Sequence, residues 1–272
     1  MTGGGPCAYF ERVDSSAFRA TSHVGGAWTT HEQHIAPALG LLVHAVERDR
    51  DARRADVLVI GRMSFDILGT IPVDVVDTEV RVLRPGRTVE LVEAALSHAG
   101  RPAVLARAWL LRPGDTAHLA GTALPRIPPP DEVPRWDAAT VWPGGFIASV
   151  EVRRRQLEAG RAAFWVRTPV PLIAGEDVSG LASAGGLFDI ANGMTVRVSP
   201  HEVAFPNLDL TAHVFRQPGG FRGPGGDWVG FDTTVSFGPD GLGLTSSVLH
   251  DARGPFGTMS QILTVRPRPA DR

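Results

Sequence analysis

Apolar residues along the chain follow the same order twice, predicting strands, then one helix, then a further series of strands. In the first half, residues 34–50 predict the helix, because apolar side chains recur there at helical spacing. Its apolar face consists of Ile35, Leu39, Leu42, Val43 and Val46. In the second half, residues 177–194 predict the corresponding helix.

The ends of these two helices carry different signals. Thr30 and Gln33 can form a capping box, whereas Pro37 suits the first turn of a helix. These two signals predict starts for the first helix that differ by about one turn. For the second helix, Ser179 is the candidate N-cap and Gly193 the candidate stop.

Segments rich in Val and Leu, separated by Gly and Pro, predict the strands. In the first half they follow the helix at residues 56–68, 73–85, 87–97 and 102–112. In the second half they follow it at residues 207–218, 227–239, 242–251 and 257–267. A long helix with such a set of antiparallel strands can bury its apolar face if the sheet wraps around it.

Between the two halves, residues 113–146 include three consecutive prolines in the stretch LPRIPPPDEVPRWD. Such a run fits neither a helix interior nor a central strand, so we interpret the segment as a linker that crosses the surface. A recognition motif for a proline-binding partner is the alternative. The chain therefore divides into residues 1–112, a linker at residues 113–146 and residues 147–272.

The last strand of each half, with the turn before it, repeats nearly the same pattern. Residues 97–113 read SHAGRPAVLARAWLLRP, and residues 250–267 read HDARGPFGTMSQILTVRP. Both combine a polar turn, an apolar strand and Arg-Pro. The repeat predicts a duplicated unit whose two copies form a pseudo-twofold dimer within one chain.

Gln261 interrupts the second copy of this repeat. It alternates with Met259 and Leu263 and therefore shares their face, which should point towards a core or a cleft. A buried amide without partners is costly, so Gln261 should be hydrogen-bonded, either as a satisfied core amide or in a site. Counted back from Arg-Pro, its counterpart in the first half is Arg107.

Asp209 shows a similar asymmetry, since counting back from the proline after each strand gives Met63 as its counterpart. It can be a turn or capping carboxylate, or part of a site. A duplicated protein that keeps polar groups in one half only is expected to have one working site.

Composition narrows the function classes. The net charge is −2 and the arginines are scattered, which argues against a nucleic-acid-binding face. The chain contains no lysine, so sites that need a P-loop or Schiff-base lysine are excluded. We expect no membrane span, no signal peptide and, with Cys7 as the single cysteine, a cytoplasmic protein.

The order of these elements, with three stretches of the second half, resembles the hotdog fold of the type II, TesB-like acyl-CoA thioesterases. The stretches are GLASAGGLFDIANG, PNLDLTAHVFR and SSVLHDARGPFGTMSQILTVRP. The resemblance implies an α+β double hotdog, in which two antiparallel sheets each wrap around a long helix. It also implies an acyl-CoA substrate, no metal or redox cofactor, and association into a homodimer or homotetramer.

The resemblance further implies that an acid, a hydroxyl and an amide hold the water that attacks the thioester carbonyl. Carried onto this sequence, they are Asp209, Ser236 and Gln261, with Thr233 and Thr234 as nearby alternatives for the hydroxyl. A carboxylate can take a proton from that water, and the other two groups can orient it.

Substrate-binding residues are expected around the second helix. Gly185 and Gly186 can allow close backbone approach at the oxyanion, and the acyl chain is expected against Phe188, Phe205 and Phe215. Asp189 is assigned a structural role, in which it hydrogen-bonds the facing sheet or orients the neighbourhood of Asp209, and Asn192 is assigned to a helix end.

Other chemistry is poorly supported. His31 and His34 in HEQH are one residue too close for the HExxH zinc signature, and the sequence around Ser183 lacks the first glycine of G-x-S-x-G. Two alternatives remain. One is a hotdog hydratase or dehydratase, which would need a histidine within hydrogen-bonding distance of Asp189. The other is a non-catalytic acyl-CoA-binding or assembly protein.

Overall fold

The computed structural model describes residues 8–26, 28–219 and 226–268, so Cys7 lies outside the described residues. The strands of the first half are β1 (Phe10–Arg12), β2 (Ala17–Ala20), β3 (Gly25–Gly26), β4 (Thr29–Gln33), β5 (Val59–Ile67), β6 (Val75–Arg84), β7 (Val89–His98) and β8 (Arg101–Leu111). Those of the second half are β9 (Arg135–Trp136), β10 (Glu151–Glu158), β11 (Arg161–Arg167), β12 (Val203–Ala204), β13 (Asp209–Val214), β14 (Val229–Phe237), β15 (Leu242–Asp251), β16 (Gly254–Thr264) and β17 (Arg266–Pro267). The helices are α1 (Ile35–Arg53), α2 (Gly145–Ala148), α3 (Gly180–Phe188) and α4 (Ala191–Met194).

One antiparallel sheet of 13 strands runs through both halves, in the order β1-β2-β6-β7-β8-β5-β13-β16-β15-β14-β11-β10-β9. Strands β5 and β13 join the halves, with Met63 opposite Ala212 and Phe65 opposite Leu210. One continuous sheet is thus found where two sheets were expected. The reason is that β5 and β13 are hydrogen-bonded to each other, whereas in two separate sheets each of them would be an edge strand. The strands predicted after each helix are all present; β15 has the predicted bounds, and the ends of the others are shifted.

Helix α1 packs against α3 and against strands β6 and β7 of the sheet. A Cβ atom on Gly40 would lie 2.7 Å from the Ala182 carbonyl oxygen and 2.8 Å from the Gly186 Cα atom. Glycine at position 40 therefore permits an approach between the two helices that a larger residue would block.

The first turn of α1 settles the question of where this helix begins. His34 is the N-cap, and its Nδ1 atom accepts a hydrogen bond from the Ala36 backbone N–H at 3.2 Å. Pro37 lies in the first turn, as its missing N–H favours. Thr30 and Gln33 belong to β4 instead of forming a capping box.

Helix α3 begins as predicted and ends earlier. The Ser179 side chain accepts a hydrogen bond from the Ala182 N–H at 3.0 Å, which confirms Ser179 as N-cap. The helix ends at Phe188, and Asp189 is its C-cap. Gly193 lies inside the short helix α4 and does not stop a single long helix. The break places the Asp189 side chain at the end of α3, where it can reach the sheet.

The proline-rich segment lies against the second half of the sheet. Trp165 Nε1 donates a hydrogen bond to the Pro128 carbonyl oxygen at 2.8 Å, and His250 Nε2 lies 2.9 Å from the Pro125 carbonyl oxygen. Strand β9, which follows, pairs with β10 at the edge of the sheet. The domain limits given above remain a prediction. Within the described ranges, none of the helices has the combined length and apolar character that crossing a membrane requires.

Candidate active site

Gln261 lies on β16 with its side chain on the inner face of the sheet, as the alternation predicts. It is fully buried, as is Leu263, and Met259 is 2% exposed. Its Nε2 atom donates a hydrogen bond to Asp189 Oδ1 at 2.9 Å. The amide expected to need a partner therefore has one, and that partner is a carboxylate from the end of α3.

Asp189 is the centre of this cluster. Only 7% of the residue is exposed, and Oδ1 accepts a second hydrogen bond from Asn207 Nδ2 at 2.6 Å. Burial raises the pKa of Asp189 to about 7, although the hydrogen bonds from Asn207 and Gln261 favour the charged form and act in the opposite direction. A carboxyl group with a pKa near neutrality can both take up and release a proton at physiological pH.

Asn207 joins Asp189 to the central strands. It precedes β13, and its Nδ2 atom also lies 3.2 Å from the Asp209 carbonyl oxygen. The sequence-based interpretation overlooked Asn207, although it lies within the PNLDLTAHVFR stretch on which the resemblance rests.

His34 approaches Asp189 from the start of α1 without bonding to it. Its Nδ1 atom is 3.8 Å from Asp189 Oδ2, beyond hydrogen-bonding distance. The same nitrogen accepts the Ala36 N–H, and burial lowers the pKa of His34 to about 3, so the ring is neutral. The pair is therefore not an ion pair, and the histidine that a hydratase would require on Asp189 is missing at this position.

A small cavity of about 40 Å³ lies beside Asp189. Asp189, Asn192, Asn207 and His34 are its polar lining residues, and Trp28 and Trp142 line it on the apolar side. The two indole rings meet edge to face, with centroids 5.2 Å apart. A water molecule needs roughly 10–15 Å³ of such space and at least two polar partners, so the cavity can hold water against the carboxylate.

The predicted trio is not brought together. The Asp209 side chain accepts a hydrogen bond from the Ile262 backbone N–H at 2.7 Å and lies on the face of β13 opposite to buried Leu210. Ser236 and its alternative Thr234 are exposed, on the face of β14 opposite to Thr233. Thr233, the other alternative, is buried on the inner face, where its hydroxyl lies 2.8 Å from that of Ser247. Since successive residues of a strand point to opposite faces, neither Asp209 nor Ser236 shares the inner face with Gln261.

The counterparts assigned by counting also lie on opposite faces of the sheet. Arg107 lies on the outer face of β8 and forms an ion pair with Glu93 at 3.0 Å, whereas Gln261 lies on the inner face of β16. Met63 is buried on the inner face, whereas Asp209 points outwards. The distance between the last inner residue and the terminal proline differs between the halves, so counting from proline does not preserve the face.

The residues predicted to bind substrate lie away from the cavity. Gly185 and Gly186 face Gly40 of α1, so the close backbone approach that they permit is between helices. Phe188 is fully buried in the core, and Phe215 is 55% exposed. Only Phe205 from the expected apolar set reaches the aromatic wall, where it contacts Trp28 and Trp142.

Comparison with solved structures shows the fold over nearly the whole chain. A hotdog-fold protein from Alicyclobacillus acidocaldarius superposes with a TM-score of 0.73 at 13% identity, covering 95% of this chain and 96% of that one. The acyl-CoA thioesterase II TesB2 from Mycobacterium marinum gives 0.65 at 15% identity, covering 96% of each chain. The tesB protein of Mycobacterium avium subspecies paratuberculosis gives 0.66 at 15% identity, covering 95% and 96%.

Family models give the more specific result. The acyl-CoA thioesterase N-terminal domain matches residues 24–111, and the acyl-CoA thioesterase C-terminal domain matches residues 126–265. Among curated proteins, no sequence matches this chain significantly. The N-terminal and C-terminal matches follow each other along the chain and together cover most of it. This protein therefore belongs to the acyl-CoA thioesterase family and is a thioester hydrolase.

Proposed function

We propose that the protein hydrolyses an acyl-CoA thioester with a water molecule held by Asp189, whose carboxylate is positioned by Asn207 and Gln261. The observation that supports this most strongly is the buried carboxylate that accepts two amide hydrogen bonds on one oxygen beside a water-sized cavity. Oδ1 holds both amides, and this leaves Oδ2 as the oxygen that accepts a proton from the attacking water.

The proposed reaction needs no covalent enzyme intermediate. Water in the cavity attacks the thioester carbonyl carbon while Asp189 takes one of its protons, and a tetrahedral oxyanion forms. The oxyanion then collapses, the carbon–sulfur bond breaks, and Asp189 returns the proton to the sulfur, so that CoA leaves as the thiol and the acid is released. General-base assistance of this kind contributes about 10²–10⁴ in rate.

The start of α1 supplies electrostatic support for the same step. His34 caps this helix of 19 residues and lines the cavity, so the positive end of the helix dipole lies beside the reacting groups. A helix N-terminus stabilises developing negative charge, here on the thioester oxygen. Because His34 is neutral, it adds no charge that would lower the pKa of Asp189.

The experiment that tests this function is hydrolysis of a series of acyl-CoA thioesters of increasing chain length, followed with a thiol-trapping reagent. We expect turnover with at least one chain length and a loss of about 10²–10⁴ in kcat for Asp189→Asn. Asp209→Asn and Ser236→Ala serve as controls, because these side chains lie on the outer faces of their strands.

Three outcomes would contradict the proposal. Absence of turnover at every chain length would favour a binding protein over an enzyme. Full activity of Asp189→Asn would remove the proposed base. Inactivation by Asp209→Asn or Ser236→Ala, in proteins that fold normally, would restore the trio that the sequence resemblance implied.

A further inference from the structure

Thr245 lies directly opposite Gln261 on the inner face of the sheet. Strands β15 and β16 pair Thr245 with Gln261, and both residues are fully buried. Side chains of directly opposite residues in an antiparallel pair have Cβ atoms about 4.5–5.5 Å apart. Thr245 is therefore a direct cross-strand neighbour of Gln261.

Two polar atoms of this pair have no hydrogen-bond partner among the described residues. They are Gln261 Oε1 and Thr245 Oγ1, and both are inaccessible to solvent. Their chemistry is complementary, because the amide oxygen only accepts and the hydroxyl group can donate. Buried polar atoms of this kind are normally satisfied by a hydrogen bond.

We propose that Thr245 is a positioning residue that donates its hydroxyl hydrogen to Gln261 Oε1 and so holds Gln261 Nε2 on Asp189. The inference rests on the proposed function for its catalytic consequence. Its structural part, the orientation of one amide group, can be tested separately.

The orientation matters because the two ends of an amide have opposite effects on a carboxylate. Nε2 donates to Asp189 and stabilises the charged form. If the group turned over, Oε1 would face the carboxyl group and favour its protonated form. Asp189 would then be a base only at higher pH.

Other groups around Asp189 do not fix the Gln261 amide. Asn207 donates to the same carboxylate oxygen from the start of β13, and neutral His34 stands 3.8 Å away at the start of α1. The Asp209 carboxylate is bonded to the Ile262 N–H on the outer face. Among these neighbours, Thr245 is the one opposite Gln261 with a free hydroxyl donor.

The test compares Thr245→Val, which removes the hydroxyl and keeps the shape, with Thr245→Ser, which keeps the hydroxyl. Thr233→Val is the matched control, because it removes a buried threonine hydroxyl from the adjacent strand β14, where the partner is Ser247 at 2.8 Å. Two quantities are measured: the pH dependence of kcat/KM, and the titration of the Asp189 carboxyl carbon by ¹³C NMR in protein without substrate.

We expect Thr245→Val to move both titrations to higher pH by roughly one pH unit, while Thr245→Ser and Thr233→Val stay near the wild-type value. Thr245→Ala replaces the valine variant if that variant does not fold. Equal titrations in the valine and serine variants would overturn the inference, as would an equal shift in Thr233→Val.

The NMR titration separates this inference from the proposed function. If no acyl-CoA is hydrolysed and the Asp189 carboxyl group still shifts only in Thr245→Val, the proposed function fails and the positioning role stands. If turnover depends on Asp189 and Thr245→Val leaves both titrations unchanged, the function stands and the positioning role fails.

Discussion

The two ends of the α1–α3 helix pair hold comparable carboxylates in opposite electrostatic surroundings. Asp189 lies ten residues after the N-cap Ser179, and His44 lies ten residues after the N-cap His34, so the two places correspond in their distance from the helix start. At one of them Asp189 is surrounded by neutral groups and buried. At the other, Glu176 lies beside His44.

Glu176 differs from Asp189 because arginine side chains lie beside it. Glu176 accepts a hydrogen bond from Arg12 at 2.9 Å, lies 3.2 Å from His44 Nε2 and 3.7 Å from Arg48. The Arg12 hydrogen bond is the main cause that lowers the pKa of Glu176, whereas burial raises that of Asp189 to about 7. A carboxylate paired with arginine stays charged and is a weak base, so only the Asp189 end is suited to accept a proton near neutral pH.

Removing the Asp189 carboxylate should give the largest effect. Asp189→Asn keeps the shape and an acceptor for Asn207 and Gln261, and it removes the base. We expect kcat/KM to fall by about 10²–10⁴ in steady-state assays with the best acyl-CoA. Retained activity would mean that Asp189 is not the base and that the Asp189 end has no catalytic advantage over the Glu176 end.

The same substitution should stabilise the fold at neutral and alkaline pH. The pKa of Asp189 is about 7 in the folded protein and near 3.8 in the unfolded chain, so the wild type loses stability as the pH rises from about 4 to 7. Asp189→Asn has no carboxyl group to titrate and lacks this loss. We therefore expect the free energy of unfolding of the variant, minus that of the wild type, to be about 4 kcal/mol larger above pH 7 than at pH 4. Urea unfolding at both pH values measures this, and parallel pH profiles would contradict it.

The pH dependence of catalysis should follow the titration of the Asp189 carboxyl group. The base acts when it is deprotonated, so kcat/KM should rise about tenfold per pH unit below pH 7 and level off above it. The measurement is a pH profile with a substrate that does not titrate in this range. A profile that is flat from pH 5 to 8 would assign the chemistry to another group.

The smallest effect is expected at the Glu176 end. Glu176→Gln should leave kcat/KM unchanged and lower the free energy of unfolding by about 1 kcal/mol at pH 7, since it removes a partly exposed ion pair. Because the pKa of Glu176 is lowered in the fold, this difference should decrease as the pH falls below the ordinary glutamate pKa of 4.5 and disappear once the carboxylate is protonated in the folded protein. Loss of activity in a stable Glu176→Gln protein would show that both ends contribute to catalysis.

Much of the fold and one site residue followed from local patterns. The helix α1 and the strands after each helix were predictable from hydrophobic periodicity, and so was the inward direction of Gln261 between Met259 and Leu263. The outward direction of Asp209 was also accessible, because Leu210 and Ala212 mark the buried face of β13. The resemblance assigned the acid to Asp209 instead of Asp189, the carboxylate that is hydrogen-bonded to Gln261 and that lies in the preceding segment of the chain.

The sequence by itself determined the family, the two helix-and-strand units and the face on which Gln261 lies, because these depend on order and on short-range periodicity. Only the tertiary structure decided that Asp189, Asn207 and Gln261 meet. The residues come from three separate segments, and what joins them is the break after α3, the register between β13 and β16, and the packing of α1 beside them. The pKa of Asp189 depends on burial among these distant neighbours, which no local pattern specifies.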